Sequence, residues 1–192
     1  MSGVTRTRLR WSGKRAYLRG HADRPGTGSD LRKSKSHDIG LCPMKIVQAD
    51  ISKKPILFRE ATATGSIRLK PDTIERVKHN ELEKGDALGV ARTMALLAVK
   101  KTPETIALCH PLKVESSSVE TKLSKDRIEV TVTVSAHERT GVEMEALAGV
   151  SAALLNIWDM TKAYEKDASG QYPDTRIEDI RVVRKVKRVE GS

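Results

Sequence analysis

Apolar and polar residues alternate along residues 127–136, so that the four apolar side chains from Ile128 to Val134 share one face. A period of two is typical of a β-strand with one buried face. Residues 114–123 form a second predicted strand, and Lys125-Asp126 between the two strands predicts a hairpin turn. Two further strands are predicted, over residues 61–70 and 177–186.

Proline, glycine and capping residues predict three helices. Pro71 suits the first turn of a helix over residues 71–82, which ends before Lys84-Gly85-Asp86. A segment rich in Ala, Leu and Met predicts a second helix over residues 87–101, which stops before Pro103. The third helix follows Thr140 and continues to about residue 166, because Thr140 and Glu143 have the spacing of a capping box.

The predicted order is strand, two helices, two strands, helix and strand. This order matches the split βαβ arrangement of a ferredoxin-like α+β domain. In such a domain the helices cover one face of an antiparallel sheet. Residues 44–192 are therefore predicted to form one folded domain, with a loop at residues 105–112.

Residues 1–43 show no sustained periodicity and are predicted to be disordered, since their few apolar residues cannot offset the entropy of ordering. They contain ten Lys or Arg and three Asp, and so carry +7 of the net charge of +10. Three interpretations stay open for this basic segment. It is a dispensable extension before a true start at Met44, an organellar transit peptide, or a basic tail that contacts anionic partners.

Composition and short motifs exclude several classes of protein. No run approaches 18 consecutive apolar residues, so no transmembrane helix and no membrane partner are expected. Two cysteines allow at most one disulfide, which favours a reducing compartment and a cytoplasmic protein. The sequence has no P-loop, no dinucleotide-binding glycine motif and no Cys-x-x-Cys, so neither a standard nucleotide cradle nor a structural zinc site is predicted.

Three polar residues, His110, Glu143 and Glu145, are candidates for a functional site. His110 lies in the predicted loop, where it either carries protons and contacts phosphate or is simply held by backbone hydrogen bonds. Glu143 suits a helix start, because acidic residues favour that position. Glu145 lies among apolar neighbours, so an inward-facing carboxylate is predicted there.

Asp159 and Lys162 lie three residues apart and therefore on one face of the predicted third helix. They form either an ordinary surface ion pair or a buried acid–base couple in which each group shifts the pKa of the other. Cations for an anionic substrate are available at Lys84, Arg92, Lys100 and Lys185. Taken alone, the residues predict a small α+β domain with an acid–base site for an anionic substrate.

Several of these segments together resemble one protein family. Their order and spacing are similar to those of the cyclic pyranopterin monophosphate synthase family, also called molybdenum cofactor biosynthesis protein C or MoaC, over about residues 47–186. The segments are Asp50-Ile51-Ser52, Arg59-Glu60-Ala61, Lys84-Gly85-Asp86, Ala91-Arg92, Leu108-Cys109-His110-Pro111-Leu112, residues 140–147 (TGVEMEAL) and Asp159-Met160-x-Lys162-Ala163. The chain departs from the family at Ala107, where a proline is usual, and at the basic residues 184–188, which replace a glycine-rich segment.

The resemblance implies an enzyme, a lyase that converts 3′,8-cyclo-7,8-dihydro-GTP to cyclic pyranopterin monophosphate and releases diphosphate in molybdenum cofactor (molybdopterin) biosynthesis. It implies no metal, no organic cofactor and a homohexamer, a trimer of dimers, with active sites between subunits. The catalytic residues would be Asp159, Lys162 and Lys84. The substrate-binding residues would be Leu108, Cys109, His110, Glu143, Met144, Glu145, Arg59, Lys100 and Lys185, with Arg184 or Lys187 as alternatives to Lys185.

Two other classes of function compete with this interpretation. A ferredoxin-like RNA-binding module would need exposed aromatic residues on its sheet. The predicted strands contain none, because Phe58, Trp158, Tyr164 and Tyr172 lie outside them, so nucleic acid is not an expected partner. A catalytically silent scaffold is disfavoured, because the polar residues that the resemblance makes functional are all present.

Overall fold

The structure is a computed structural model that describes residues 45–189. The predicted disorder of residues 1–43 and the alternative start at Met44 lie outside the described residues. The strands are β1 (Leu57–Arg68), β2 (Ser116–Leu123), β3 (Arg127–Glu138) and β4 (Arg176–Arg188). The helices are α1 (Pro71–Lys78), α2 (Ala87–Lys100), α3 (Thr102–Thr105) and α4 (Glu143–Glu165).

The four strands form one antiparallel sheet in the order β2-β3-β1-β4. The central strands β1 and β3 pair over their whole length, and the predicted hairpin between β2 and β3 is confirmed. Alternate residues of β3 from Ile128 to Ala136 are buried beneath α4, as their periodicity predicts. The ferredoxin-like α+β fold, with helices packed on an antiparallel sheet, is therefore confirmed.

Some element boundaries differ from the prediction. The pairing of β1 with β4 begins at Phe58 and Arg188, so both strands extend further toward this end of the sheet than predicted. Residues 102–105 form the short helix α3 where a loop was expected to begin, since Pro103 is tolerated in a first helical turn.

Phe58 lies in β1, so the prediction that the strands carry no aromatic residue is wrong. The Arg188 guanidinium lies 4.4 Å from the centre of the Phe58 ring, and the His137 ring lies 5.4 Å from it. These contacts within the chain occupy the ring, so Phe58 does not provide the open stacking surface that an RNA-binding sheet needs.

The predicted capping box at the start of α4 is wrong. The box would make Thr140 the cap and begin the helix at Gly141, but the helix begins at Glu143 after Val142, with no side-chain hydrogen bond to the cap. The Glu143 carboxylate instead forms an ion pair with Lys185 of β4. The acidic residue at this helix start therefore makes an ion pair with a distant strand in place of the predicted capping contact.

Helix α4 packs tightly against α2 and β3 because Gly149 has no side chain. A Cβ atom at this position would lie 3.0 Å from a Val99 methyl group and 3.1 Å from a Val132 methyl group. The surrounding α4 residues Ala146, Val150, Ala153 and Leu154 are buried at the spacing of one helical face. This packing fixes the position of α4 across the sheet.

The C-terminal end of α4 is fixed by the buried carboxylate of Glu165. Its two oxygens accept hydrogen bonds from the Lys70 backbone N–H at 3.1 and 3.2 Å, and one accepts the Thr175 hydroxyl at 2.5 Å. The Lys70 ammonium donates to the backbone carbonyls of Tyr164 and Lys166. Because a buried polar group is tolerated when it is hydrogen-bonded, these contacts hold the end of α4 in place.

Between residues 45 and 189, none of the helices has the length and apolar character that crossing a membrane requires.

We expect Gly149→Val to lower the free energy of unfolding by about 2 kcal/mol, because the new methyl groups would overpack the contact with Val99 and Val132. The matched control is Ala163→Val, which adds the same side chain at an exposed position of α4 and should cost no more than about 0.5 kcal/mol. Urea unfolding of the two variants measures the difference. Equal losses would show that Gly149 does not set the helix packing.

Candidate functional site

Three charged residues meet on the surface and form what we call the Asp159 cluster: Lys84, Asp159 and Lys162. The Lys84 ammonium lies 2.6 Å from Asp159 Oδ2 and also donates to the Asp159 carbonyl at 2.9 Å. The Lys162 ammonium lies 2.7 Å from Asp159 Oδ1. Each carboxylate oxygen of Asp159 therefore forms an ion pair with one lysine ammonium group.

The loop between α1 and α2 brings Lys84 to this cluster. Gly85 has a φ of 88°, a conformation that residues with a side chain rarely adopt, and it turns the chain immediately after Lys84. Asp86 then caps α2 by accepting the Gly89 N–H at 2.8 Å. In the Lys-Gly-Asp sequence, Gly85 therefore turns the chain and Asp86 begins α2. This local structure places Lys84 against α4.

The electrostatics of the cluster follow from these contacts. Hydrogen bonds from Lys162 and Lys84 lower the pKa of Asp159 to about 2, and the bond with Asp159 raises the pKa of Lys162. At neutral pH the cluster therefore holds one carboxylate between two ammonium groups. The Asp159 side chain is 55% exposed, so the described chain contains a surface ion cluster and not the alternative of a buried Asp–Lys couple.

A second group of residues surrounds a cavity of about 260 Å³, which we call the Glu145 cavity. It lies between the loop after α3, the first turn of α4 and the segment that precedes β1. Its lining residues are Ala49, Ile51, Lys54, Leu108, Cys109, His110, Leu112, Thr140, Gly141, Met144 and Glu145.

Glu145 faces inward, as predicted, and is only 2% exposed. Its Oε2 atom is buried and has no hydrogen-bond partner among the described residues. Burial, followed by the nearby charge of Glu143, raises the pKa of Glu145, and burial also raises the pKa of the Cys109 thiol. The cavity therefore contains a carboxyl group with an unused acceptor, which suits a ligand that donates a hydrogen bond.

The loop that carries Cys109 and His110 is tied to the chain before β1. The His110 Nε2–H donates to the Ala49 carbonyl at 2.8 Å, and the Gln48 amide donates to the Cys109 carbonyl at 3.2 Å. The structure thus supports the interpretation of His110 as a loop histidine held by the backbone. The same bonds leave it on the cavity wall beside Leu108 and Cys109.

Glu143, Lys185 and Arg59 form a charged group next to Glu145. Burial acts to raise the pKa of Glu143, but the hydrogen bond from Lys185 and the charges of Lys185 and Arg59 outweigh it, so the pKa is lowered. Arg59 is almost buried, and its guanidinium donates to the carbonyls of Glu138 and Arg139. Of the C-terminal basic residues considered, Lys185 is the one paired with Glu143, whereas Arg184 pairs with Glu60 at 2.9 Å.

The chain does not bring all the predicted site residues together. Glu145 and Asp159 both lie on α4, and at a rise of 1.5 Å per residue their positions are about 21 Å apart along the helix axis. Lys100 lies on the exposed side of the last turn of α2, and among residues 45–189 no contact joins it to either group. The residues thus form two separate groups, one toward each end of α4.

The segment before β1 contributes to the cavity, although no sequence pattern assigned a role to Asp50-Ile51-Ser52, Gln48 or Lys54. One local signal was available, since Asp-x-Ser is typical of an Asx turn, and the Ser52 N–H does donate to Asp50 Oδ1 at 2.8 Å. Within residues 45–189, no group of three or more His, Cys, Asp or Glu residues has the arrangement of a metal site.

Comparison with known proteins shows which family the chain belongs to. Residues 48–188 match the MoaC family. A probable cyclic pyranopterin monophosphate synthase of Sulfurisphaera tokodaii is 54% identical over 138 residues, which are 72% of this chain and 91% of that protein. Another, from Thermococcus kodakarensis, is 53% identical over 145 residues, 76% of this chain and 93% of that protein. With this coverage and identity, the chain belongs to the MoaC family.

Proposed function

We propose that this chain is a cyclic pyranopterin monophosphate synthase, a lyase of molybdenum cofactor biosynthesis. It converts 3′,8-cyclo-7,8-dihydro-GTP to cyclic pyranopterin monophosphate with release of diphosphate. The observation that carries the proposal is the Asp159 cluster, which holds a carboxylate between two ammonium groups in a chain that is 54% identical over 138 residues to a probable cyclic pyranopterin monophosphate synthase. Asp159, Lys162 and Lys84 are its catalytic residues.

The Asp159 cluster suits a reaction in which a hydroxyl group attacks a phosphorus atom and diphosphate leaves. The attack needs a base, and the phosphates need cations. In the free protein the two lysines hold the pKa of Asp159 at about 2, so the carboxylate is a weak base. Substrate phosphates attract Lys84 and Lys162 away from it, which raises the pKa of Asp159 and makes it a stronger base when substrate is bound.

The Glu145 cavity suits the other end of the substrate. The N–H groups of the pterin-forming ring system donate to the buried carboxyl oxygen that lacks a partner. Leu108, Cys109, His110 and Met144 form the adjoining wall. Glu143, Arg59 and Lys185 support this end through their mutual charges. Lys100 lies apart from both groups within one chain, and we propose it as a further cation for the substrate phosphates. No metal or organic cofactor is assigned a role in this scheme.

The separation of the two groups supports an assembly of several chains. The ring and the phosphates of one substrate are a few bonds apart, whereas the two groups on one α4 are about 21 Å apart along a rigid helix. The family resemblance implies a homohexamer, a trimer of dimers, and we propose that in it the Asp159 cluster of one subunit faces the Glu145 cavity of another. Exposed apolar residues, such as Leu155 at 60% exposure, supply surface for subunit contact.

The enzyme is cytoplasmic and acts on a small-molecule substrate, without a membrane or nucleic acid partner. Residues 44–192 form the catalytic domain, and residues 1–43 are dispensable for turnover. A comparison of the full chain with residues 44–192 in the assay below tests this division, because activity confined to the full chain would contradict it.

We expect Asp159→Asn to lower kcat by at least about 100-fold, because the base for cyclisation is lost. The measurement supplies enzymatically made 3′,8-cyclo-7,8-dihydro-GTP and follows diphosphate and the fluorescent pterin formed from the product. Asp72→Asn, an exposed aspartate in the first turn of α1, is the matched control and should keep wild-type activity. An active Asp159→Asn enzyme would rule out the role of Asp159, and an inactive wild type would rule out the function.

We expect Glu145→Gln to raise the melting temperature at pH 7 and to have a smaller effect at pH 4. The folded protein binds the Glu145 proton more tightly than the unfolded chain does. The free energy of unfolding therefore falls as pH rises from the ordinary pKa of a glutamate toward the raised pKa of Glu145. Glutamine stays neutral and avoids that loss. Glu143→Gln is the control of opposite sign, because its pKa is lowered, and it should destabilise at pH 7 more than at pH 4.

We expect mixed oligomers of Asp159→Asn and Glu145→Gln to recover activity that neither variant has alone. If each site takes Asp159 from one subunit and Glu145 from another, about one site in four of a random, equimolar mixture has both native residues, so the mixture regains about a quarter of wild-type activity. The two variants are unfolded together, refolded and assayed, and light scattering checks the hexameric mass. Unmixed variants refolded in the same way are the control. No recovery from a well-mixed hexamer would contradict the shared site.

A further inference from the structure

The segment from Gln48 to Lys54, which we call the 48–54 segment, is tied to the site although it contains no helix or strand. At one end, Gln48 donates to the Cys109 carbonyl and the Ala49 carbonyl accepts from His110. At the other end, the Arg139 guanidinium donates to the Ser52 carbonyl. These three bonds join the segment to two different loops, so it forms a fixed wall of the Glu145 cavity.

A turn in this segment sets the position of Lys54. The Lys54 N–H donates to the Ile51 carbonyl at 3.0 Å, and the Ser52 N–H donates to Asp50 Oδ1 at 2.8 Å. Lys54 lies on the cavity lining and is exposed, whereas its neighbour Lys53 is exposed without being part of that lining in the described chain. The turn therefore places Lys54 on the cavity lining and leaves the adjacent Lys53 outside it.

The cavity lining combines a buried acidic residue with an exposed basic one. Glu145 is buried, whereas Lys54 is exposed and therefore marks the mouth of the cavity. Among the described residues that line the cavity, Lys54 carries the one fixed positive charge. Cavities that enclose a drug-sized ligand have volumes of about 300–1,000 Å³. At about 260 Å³, this cavity accommodates a ring system but leaves a triphosphate outside, at the exposed end where Lys54 lies.

We propose that Lys54 is a further substrate-binding residue, whose ammonium group contacts the phosphate-bearing side of the substrate at the mouth of the Glu145 cavity. Gln48 is a positioning residue for it, because its bond to the Cys109 carbonyl holds the 48–54 segment against the cavity. This inference rests on the proposed function for the identity of the substrate. It extends that function to a segment that no predicted site residue occupies.

The first test compares Lys54→Ala with Lys53→Ala in the full chain. Lys54→Ala should raise KM for 3′,8-cyclo-7,8-dihydro-GTP by about tenfold, as expected for the loss of one charge-assisted hydrogen bond, and leave kcat within about twofold. Lys53→Ala should resemble wild type, and Lys54→Arg should retain most of the affinity. Equal KM values for Lys54→Ala and Lys53→Ala would overturn the proposal.

A second test is independent of turnover and uses inorganic diphosphate as the probe. Calorimetry should show weaker diphosphate binding to Lys54→Ala, with Lys53→Ala unchanged. If the wild type turns over no substrate but this difference is found, the proposed function fails and the phosphate contact of Lys54 stands. If the wild type is active and both lysine variants bind diphosphate equally, the proposed function stands and the role of Lys54 fails.

A double-variant cycle tests the role of Gln48. Gln48→Ala should raise KM in the wild-type background and have little further effect when Lys54 is already alanine, because Gln48 acts through Lys54. A purely structural role would lower activity equally in both backgrounds, and that result would contradict the positioning role.

Discussion

Helix α4 constrains every other part of the site. Its 23 residues extend about 35 Å, and it is held by close packing at Gly149 and by the hydrogen bonds of Glu165 at its end. Glu145 lies in its first turn and Asp159 lies near its other end, so the helix fixes both carboxyl groups and the distance between them. Because a packed helix does not shorten, the proposed site takes one carboxyl group from each of two chains.

The carboxyl groups of Glu145 and Asp159 lie in different environments. Glu145 is buried with an unused oxygen, which costs stability that the surrounding core must offset, and a ligand that donates a hydrogen bond removes this cost. Asp159 remains at the surface, where two lysines satisfy its oxygens without burial. In the proposed function, Glu145 selects the substrate by its hydrogen-bond donors, and the lysines beside Asp159 select it by its negative charge.

The sequence predicted those features that depend on local spacing. Alternation located β3, Pro71 located α1, and the three-residue spacing placed Lys162 beside Asp159. Features that depend on topology were not accessible in this way. The contact of Lys84 with Asp159 joins residues 75 positions apart, and only the family resemblance grouped them. The ion pair of Glu143 with Lys185, which replaces the expected capping box, and the 48–54 segment are further contacts of this long-range kind.

Lysine contacts and burial shift the two carboxyl groups in opposite directions. Lysine hydrogen bonds lower the pKa of Asp159 to about 2, and burial raises the pKa of Glu145 above its ordinary value. Two carboxyl groups whose pKa values are pushed apart can divide the acid and base roles of one reaction. In the proposed reaction the base therefore belongs at the phosphate end, where substrate charge competes for the lysines. The group that retains its proton more strongly belongs at the ring end. This division has a structural cause, because Glu145 is buried at the first turn of α4, whereas Asp159 near the other end contacts Lys84.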